Sequence, residues 1–250
     1  IKLLIFIMTS KIKEYDASSI EVLEGLEPVR RRPGMYIGGT DNSSMHHLFS
    51  EVIDNAMDEA VANHASFIEI GALDNNRISV FDNGRGIPID PHPNFPDKTA
   101  LEVIMTTLHA GGKFGNKVYQ TSGGLHGVGI SVVNALSESL EVEVYRDKKT
   151  YHQIYSRGDA TSKLKLVNKK TNKKGTKITF KPDVEIFGND NLFNIQKLYE
   201  FSKSKAYLFA GVEIRWSCSD ELSKKSNVPS KDLFNFSNGL IDLINSETDE

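Results

Sequence analysis

Residues 47–60 are the segment that most restricts the fold, because their polar and apolar positions separate cleanly only on a helix packed along one side. On such a helix His47, Glu51, Asn55 and Asp58 recur every three or four residues and share one face. The other face is apolar and consists of Leu48, Phe49, Val52, Ile53, Ala56, Met57 and Ala60. The polar stripe has no lysine or arginine to neutralise it. It fits either a solvated surface or a site for hydrated Mg²⁺ and an activated water.

Asp82 is predicted to stand at the end of a strand, just before a glycine turn. Residues 67–72 and 77–82 alternate apolar and polar side chains around Asp74-Asn75-Asn76, which predicts a β-hairpin. A carboxylate at that strand end can be buried and point into a cavity. Asp-Asn-Gly is also a common Asx turn, in which the side chain bonds its own backbone. The continuation Arg85-Gly86-Ile87-Pro88 adds a cation, a permissive glycine and an apolar wall, which favours a site.

Residues 124–129 form a glycine-rich turn ahead of a helix predicted from about Val128 to Leu136. Their order, G-x-x-G-x-G, differs from the Rossmann fingerprint, and Lys113 in the preceding glycine-rich lid is followed by Phe114, so a P-loop is absent. The turn could still bind phosphate in the way that those two motifs do. Glycines let backbone amides approach phosphate oxygens, and a helix N-terminus adds about half a positive charge.

The remaining patterns complete an α+β domain. Helices are predicted for residues 18–26, 100–109, 191–206 and 240–245, a rigid non-regular loop for 91–97, and strands for 140–146, 150–156, 163–167, 176–181 and 211–216. Four of these strands follow one another through short turns, which indicates an antiparallel meander. With the helices on one face, the expected fold is a two-layer α/β sandwich with a mixed, mostly antiparallel sheet.

Composition restricts the class of protein rather than its chemistry. A chain of 250 residues allows one domain and the start of a second, and 39% hydrophobic with 25% charged residues is typical of a soluble globular protein. The net charge of -3 gives no indication of bulk nucleic-acid binding. The single cysteine, Cys218, excludes an internal disulfide and fits a reducing cytoplasm. No apolar run predicts a membrane segment, and residues 1–7, before Met8, are interpreted as an upstream extension or an artefact.

Two basic tracts each allow two interpretations. Arg30-Arg31-Arg32 fits a nucleic-acid contact or a local salt-bridge cluster. The lysines between Lys169 and Lys174 fit a solvated hairpin tip or a DNA contact. Both alternatives stay open for both tracts.

Three segments together resemble the ATP-site motifs of the GHKL superfamily, which has the Bergerat ATPase fold. They are Glu51 to Glu59, Asp82 to Pro88 and Gly123 to Gly129, in that order. Arg31 to Gly38 and Leu108 to Phe114 are similar to the B subunits of the bacterial type IIA topoisomerases. Two loops, residues 38–41 and 91–96, resemble the topoisomerase IV branch of that family more than the gyrase branch. The resemblance covers roughly Tyr15 to the C-terminus.

The resemblance implies a role for each matching residue. Glu51 would be the general base that activates water, and His47, one turn earlier, would orient it. Asn55 would hold the Mg²⁺ that bridges the phosphates, and Asp82 would accept a hydrogen bond from the adenine amino group.

Further nucleotide contacts are implied in four groups. Asp58, Gly86, Ile87, Pro88, Ile104 and Thr176 would line the nucleotide pocket. Lys113, Tyr119, Gly124, Leu125, His126, Gly127, Val128 and Gly129 would close over the phosphates. Arg85 and Arg146 would flank the mouth, where aminocoumarin inhibitors bind in the family. Tyr15 would lie on an arm that reaches the partner subunit's nucleotide in an ATP-bound dimer.

The resemblance also implies the partners and the division into domains. ATP and Mg²⁺ would be the cofactors. A longer, cytoplasmic protein would act on DNA as an ATP-dependent homodimer of the B-type chain, in a heterotetramer with a topoisomerase A-type chain (ParC or GyrA), without a membrane partner. Residues 1–14 would be a flexible arm, 15–232 the ATPase domain and 233–250 the start of a transducer domain. A catalytic lysine from that transducer would lie beyond Glu250, so this piece is expected to bind ATP and hydrolyse it poorly.

Two other classes of protein fit the sequence less well. A sensor histidine kinase would need a phosphoacceptor helix ahead of the ATP site, and residues 9–41 are too short and too broken for one. A nucleotide switch that does not hydrolyse ATP would not require Glu51 and His47.

Overall fold

In the computed structural model, which describes residues 22–110 and 129–248, nine strands of the described chain form one sheet. The helices are α1 (Glu27–Arg31), α2 (Gly34–Ile37), α3 (Asn42–Val61), α4 (Ala100–Thr106), α5 (Gly129–Ala135), α6 (Val184–Phe187), α7 (Ile195–Leu208), α8 (Asp220–Ser226) and α9 (Leu240–Thr248). The strands are β1 (Phe67–Leu73), β2 (Arg77–Asp82), β3 (Pro91–His92), β4 (Phe95–Thr99), β5 (Ser137–Arg146), β6 (Lys149–Ser156), β7 (Asp159–Ala160), β8 (Lys165–Asn168), β9 (Gly175–Pro182), β10 (Glu213–Cys218) and β11 (Lys231–Phe234).

The main sheet is mixed and mostly antiparallel, as the sequence predicts. Its order is β11-β10-β1-β2-β9-β5-β6-β7, with β8 also paired to β6. β1 and β10 run parallel, with Ile68 opposite Ile214, and the other pairings of this sheet are antiparallel. The predicted fold class, a two-layer sandwich of a sheet and helices, is confirmed.

Helix α3 is the centre of the core. Asp41 caps its N-terminus by accepting a hydrogen bond from the Ser44 amide at 2.8 Å. The predicted apolar face is buried: Leu48, Phe49, Val52 and Ile53 are each at most 1% exposed. Full burial of a side chain of this size stabilises a fold by about 1.5–3 kcal/mol.

None of the described helices is both long enough and apolar enough to cross a membrane.

The predicted meander was wrong in its last pairing, because β9 pairs with β2 and β5 rather than with β8. Three local predictions were wrong as well. Residues 22–26 are not helical, because Gly25 adopts a positive φ of 58° and α1 begins only at Glu27. Residues 91–97 are not irregular but contain the hairpin β3–β4, whose prolines lie in a small separate two-stranded sheet where missing donors cost little. The helix predicted to reach His109 ends at Thr106, because Thr107 is extended.

The arginine tract near α1 forms salt bridges, which answers one question left open by the sequence. Arg30 contacts the buried carboxylate of Asp183 at 2.8 Å, and Arg157 contacts the same carboxylate at 2.9 Å. Arg31 pairs with Glu27 one turn away at 2.9 Å. Burial of Asp183 opposes its ionisation, but the hydrogen bonds from Arg157 and Arg30 outweigh burial and lower its pKa. These pairs tie α1, β6 and α6 together.

Asp183→Ala is expected to lower the free energy of unfolding by about 2 kcal/mol, because it removes the carboxylate shared by the part-buried Arg30 and the exposed Arg157. Urea unfolding measures the loss, and Glu185→Ala, whose side chain is 60% exposed, is the control with little effect. Because the folded-state pKa of Asp183 is lowered, its stabilisation is present above the ordinary pKa of 3.8 and is lost as pH falls through the folded value. A loss equal to that of Glu185→Ala would contradict the role.

Candidate functional site

The polar stripe of α3 runs between the start of α5 and the end of β2. Glu51, Asn55 and Glu59 lie at successive turns, and the Asn55 side-chain amide donates to the Glu51 carbonyl at 3.0 Å. At 1.5 Å per residue, Glu51 and Glu59 are about 12 Å apart along the axis. Asp58 is buried on this helix, whereas His47, one turn before Glu51, is exposed. The stripe therefore joins two distinct ends of the candidate site.

The first end lies where α5 meets α3. A Cβ on Gly129, the first residue of α5, would overlap the Glu51 carboxylate. Only glycine therefore leaves the Glu51 side chain its position beside the first turn of α5. The residues that precede this turn, 111–128, lie outside the described part of the chain.

The second end is the carboxylate of Asp82 at the end of β2. Asp82 is 7% exposed, and its Oδ1 accepts a hydrogen bond from the Gly84 amide at 2.8 Å, so the Asx turn is present within a buried site. Burial raises the pKa of Asp82 to about 7, and the nearby charge of Glu59 adds to this, although the Gly84 hydrogen bond partly offsets both. A buried carboxylate with a pKa near neutrality is typical of functional sites.

Glu59 and two arginines hold the glycine turn that follows β2. The Arg85 guanidinium donates to both Glu59 oxygens, at 2.6 and 3.1 Å, and the Arg85 backbone amide donates to Glu59 at 3.0 Å. Arg146 of β5 donates to the Gly86 carbonyl at 3.1 Å. Both arginines predicted at the mouth of the pocket thus contact this turn or its carboxylate partner, and Arg85 is engaged in a bidentate pair.

Thr176 of β9 links the turn to the sheet beside Asp82. The two residues are partners in the β2–β9 ladder, and the Thr176 hydroxyl accepts a hydrogen bond from the Ile87 amide at 3.1 Å. Ile87 is half-buried, as is Ile104 on α4, while Pro88 is exposed. The structure therefore brings Asp82, Thr176 and Ile87 together.

Several predicted site residues cannot be located in this arrangement, because they lie outside the described residues. They are Tyr15, Lys113, Tyr119, Gly124, Leu125, His126, Gly127 and Val128. Among residues 22–110 and 129–248, no three His, Cys, Asp or Glu side chains cluster in a way that would hold a metal.

Gly175 and Glu59 are site residues that the sequence patterns did not single out. Gly175 has a φ of 122°, and a Cβ there would overlap the Asp82 carbonyl. Gly86 packs closely against Gly175, since a Cβ added to Gly86 would lie 3.1 Å from the Gly175 carbonyl oxygen. The signals were a glycine directly before the predicted β9 strand and a second carboxylate next to Asp58. Neither signal predicts a site residue by itself, because Gly175 matters only through its contact with Asp82 and Glu59 only through its pair with Arg85.

Gly175→Ala is expected to lower the free energy of unfolding by about 2 kcal/mol, through backbone strain and the overlap with Asp82. Gly188→Ala is the matched control. It has a positive φ of 82° and open space around the added Cβ, so it tests strain alone. Thermal and urea unfolding compare the two variants. Equal destabilisation by both would show that the close approach to Asp82 is unimportant.

Comparisons with known proteins agree with the fold. Residues 40–186 match the family described as histidine kinase-, DNA gyrase B-, and HSP90-like ATPase. Over 93% of its length the chain is 60% identical to the B subunit of DNA topoisomerase 4 from Rickettsia felis, covering 35% of that protein. Over 83% of its length it is 50% identical to the B subunit of DNA gyrase from Synechocystis sp., covering 19% of that protein.

A solved structure is similar as well. It is the 43K ATPase domain of Thermus thermophilus gyrase B in complex with an aminocoumarin, with a TM-score of 0.75 and 40% identity. The match covers 88% of this chain and 54% of that one. The chain thus spans about a third of the length of the topoisomerase 4 relative and about half of the solved domain.

Proposed function

Because the chain belongs to the histidine kinase-, DNA gyrase B- and HSP90-like ATPase family, we propose that α3 and the end of β2 bind and hydrolyse Mg²⁺–ATP. The observation that carries this proposal is the continuous polar stripe of α3. It joins Glu51, beside Gly129, to Glu59, beside the buried carboxylate of Asp82. One nucleotide lying along the helix would meet both ends.

In this proposal Asp82 recognises adenine. A carboxylate accepts a hydrogen bond from the adenine amino group and discriminates against guanine, which has an acceptor oxygen at that position. Thr176 lies beside it, and Gly86, Ile87, Pro88 and Ile104 are proposed to wall the ring. Arg85 and Arg146 keep the turn in place and flank the mouth of the pocket.

At the phosphate end, Glu51 is the proposed general base, with His47 orienting it and Asp58 supporting the same stripe. Backbone amides from Gly124 to Gly129, with Lys113 and Tyr119, are proposed to cover the phosphates. Phosphoryl transfer needs mainly positioning and charge stabilisation, which such groups supply.

The residues fit a magnesium ion that is held mainly by substrate. Mg²⁺ takes oxygen ligands and often uses only one or two from protein, with phosphate oxygens and waters as the rest. Asn55 offers an amide oxygen one turn from Glu51, and the described residues form no complete metal cage that would compete with this arrangement. When bound, the ion would neutralise charge on the phosphates.

We further propose that the whole protein is a type II topoisomerase whose B-type chain contains this ATPase domain. Topoisomerase IV is favoured over gyrase, since the identities above are 60% and 50%. ATP would power strand passage, decatenation and relaxation of DNA in the cytoplasm, with an A-type chain (ParC or GyrA) and an ATP-dependent dimer of the B-type chain that includes Tyr15. The domain limits 15–232 and 233–250 belong to this proposal, although β11 (Lys231–Phe234) pairs within the main sheet.

Two measurements test the proposal at its two levels. Calorimetry with a non-hydrolysable ATP analogue and Mg²⁺ should detect one site per chain, and absence of binding would overturn the ATPase assignment. A chain extended past Glu250 and combined with an A-type chain should decatenate DNA. Supercoiling activity instead would favour gyrase, and phosphate transfer to a histidine would favour a kinase.

A further inference from the structure

Residues 161–182 carry the strongest charge imbalance of the chain. They contain eight lysines and no acidic residue, although the whole chain has a net charge of -3. Two of these lysines are neutralised, Lys177 by Glu143 at 3.5 Å and Lys181 by Glu138 at 2.8 Å. The other six are exposed and form no ion pair with any described residue: Lys163, Lys165, Lys169, Lys170, Lys173 and Lys174.

The loop between β8 and β9 holds four of these lysines on a backbone with local hydrogen bonds. The Lys170 amide donates to the Asn168 side chain at 2.9 Å, and the Lys173 amide donates to the Thr171 hydroxyl at 3.1 Å. The Thr171 amide donates to the Lys148 carbonyl at 2.9 Å, which fastens the loop to the β5–β6 turn. Exposed Lys148 and Lys149 are thereby brought to the same corner.

These hydrogen bonds define a cationic patch: Lys148, Lys149, Lys169, Lys170, Lys173 and Lys174. The Lys173 ammonium group also lies over the rings of Phe81 and Tyr145, 6.0 and 5.4 Å from their centroids. The one carboxylate within the β5–β6 turn is Asp147, which faces Arg146 at 3.9 Å. Clustered like charges repel one another. Glu69 lines the same cavity as Lys173 and Lys174 but is paired with Arg215 at 3.0 Å, and no described carboxylate forms a salt bridge with a patch lysine.

We propose that this cationic patch binds the phosphate backbone of duplex DNA. The proposal rests on the proposed topoisomerase function for its choice of polyanion. The contrast with the arginine tract supports it, since Arg30 and Arg157 are neutralised by Asp183 whereas the patch lysines have no such partner among the described residues. Lysines on two turns joined by a backbone hydrogen bond concentrate positive charge in one region of the surface, and neutralising consecutive phosphates requires such a concentration.

A membrane surface is the competing partner, because Leu166 and Val167 of β8 are 43% and 56% exposed near the patch. Membrane-surface binding normally uses an amphipathic helix that inserts a broad apolar face. Here the apolar residues are two neighbours on a four-residue strand, and the lysines lie on turns. These features favour DNA.

The test compares two triple variants of the 250-residue chain. K169Q/K170Q/K174Q removes three patch charges and keeps Lys173, which packs on aromatic rings. K197Q/K224Q/K225Q removes three exposed lysines on α7 and α8, near the opposite edge of the sheet. The two variants therefore have the same net charge. Fluorescence anisotropy measures binding to a labelled duplex of about 20 base pairs, first in about 50 mM KCl, where phosphate contacts are strong, and then at rising salt concentrations.

The patch variant should bind the duplex about tenfold more weakly, with a salt slope reduced by about one for each lysine–phosphate pair that the substitutions remove. The control variant should bind like the parent chain. Equal weakening in both variants, or binding of the parent to phosphatidylserine vesicles but not to the duplex, would overturn the proposal. Affinity for a non-hydrolysable ATP analogue should be the same in all three chains. That measurement tests the nucleotide site separately, so a failure there would not be mistaken for a failure of the patch.

Discussion

Replacing Glu51 by alanine is expected to slow ATP hydrolysis about 10²–10⁴-fold, the usual effect of losing a general base, without weakening ATP binding. The structure gives a reason for this separation. Glu51 lies beside the first turn of α5, about 12 Å along α3 from Glu59 and the adenine end proposed around Asp82. The loss should therefore appear in turnover rather than in affinity. Steady-state ATPase assays of a chain extended past Glu250, with calorimetry on the same protein, measure both.

Two companion variants make the Glu51 result specific. Asp54→Ala removes a carboxylate from the same helix that pairs with Lys205 of α7, so hydrolysis should persist. Gly129→Ala keeps Glu51 but places a methyl group where its carboxylate lies, so hydrolysis should fall. Normal turnover by Glu51→Ala, or an equal loss in Asp54→Ala, would remove Glu51 from the proposed role.

Asp82→Asn should weaken binding of a non-hydrolysable ATP analogue about 10–150-fold, the cost of a hydrogen bond to a charged group of about 1.5–3 kcal/mol. The asparagine oxygen can still accept from the Gly84 amide, so the turn should survive. Calorimetry compares this variant with Asp74→Asn, an exposed position in the β1–β2 turn. Unchanged affinity in Asp82→Asn would remove Asp82 from the adenine pocket.

The pKa of Asp82 gives this second prediction a pH signature. With a pKa of about 7 in the free protein, the carboxylate is mostly protonated at pH 5 and mostly ionised at pH 8. An ionised carboxylate accepts from the adenine amino group more strongly than a protonated one, so affinity of the unmodified chain should rise between pH 5 and 8. Asp82→Asn should lack this component, and a parallel pH dependence in both proteins would contradict the assignment.

Stability should depend on pH in the opposite direction from affinity. Because the folded-state pKa lies above the ordinary value of 3.8, the folded chain binds the extra proton between these values, and its stability falls as pH rises from about 4 to 7. The pKa difference corresponds to at most about 4 kcal/mol. Asp82→Asn should therefore gain stability relative to the unmodified chain as pH increases through this range, measured by urea unfolding.

The elements predicted well from sequence are those whose pattern is local. The stripe of α3 follows from a 3.6-residue period, and the β1–β2 hairpin follows from alternation around an asparagine-rich turn. Predictions failed where local signals competed. The prolines of residues 91–97 suggested an irregular loop, but pairing of Pro91 with Thr99 made a hairpin. Gly25, with a positive φ, turns the chain within the segment that was predicted to be a helix, residues 18–26.

Sequence by itself determined the acidic helix, the strand-end position of Asp82 and the fold class, because helix period, strand alternation and turn chemistry are properties of neighbouring residues. Tertiary structure alone decided that Glu59 pairs with Arg85 and that Asp183 pairs with Arg30. The members of these pairs are 26 and 153 residues apart in the sequence. Tertiary structure also decided which basic tract forms no salt bridge within the described chain. The physical reason is that ion pairing acts over a few ångströms in space, and only the packed sheet brings such distant side chains within that range.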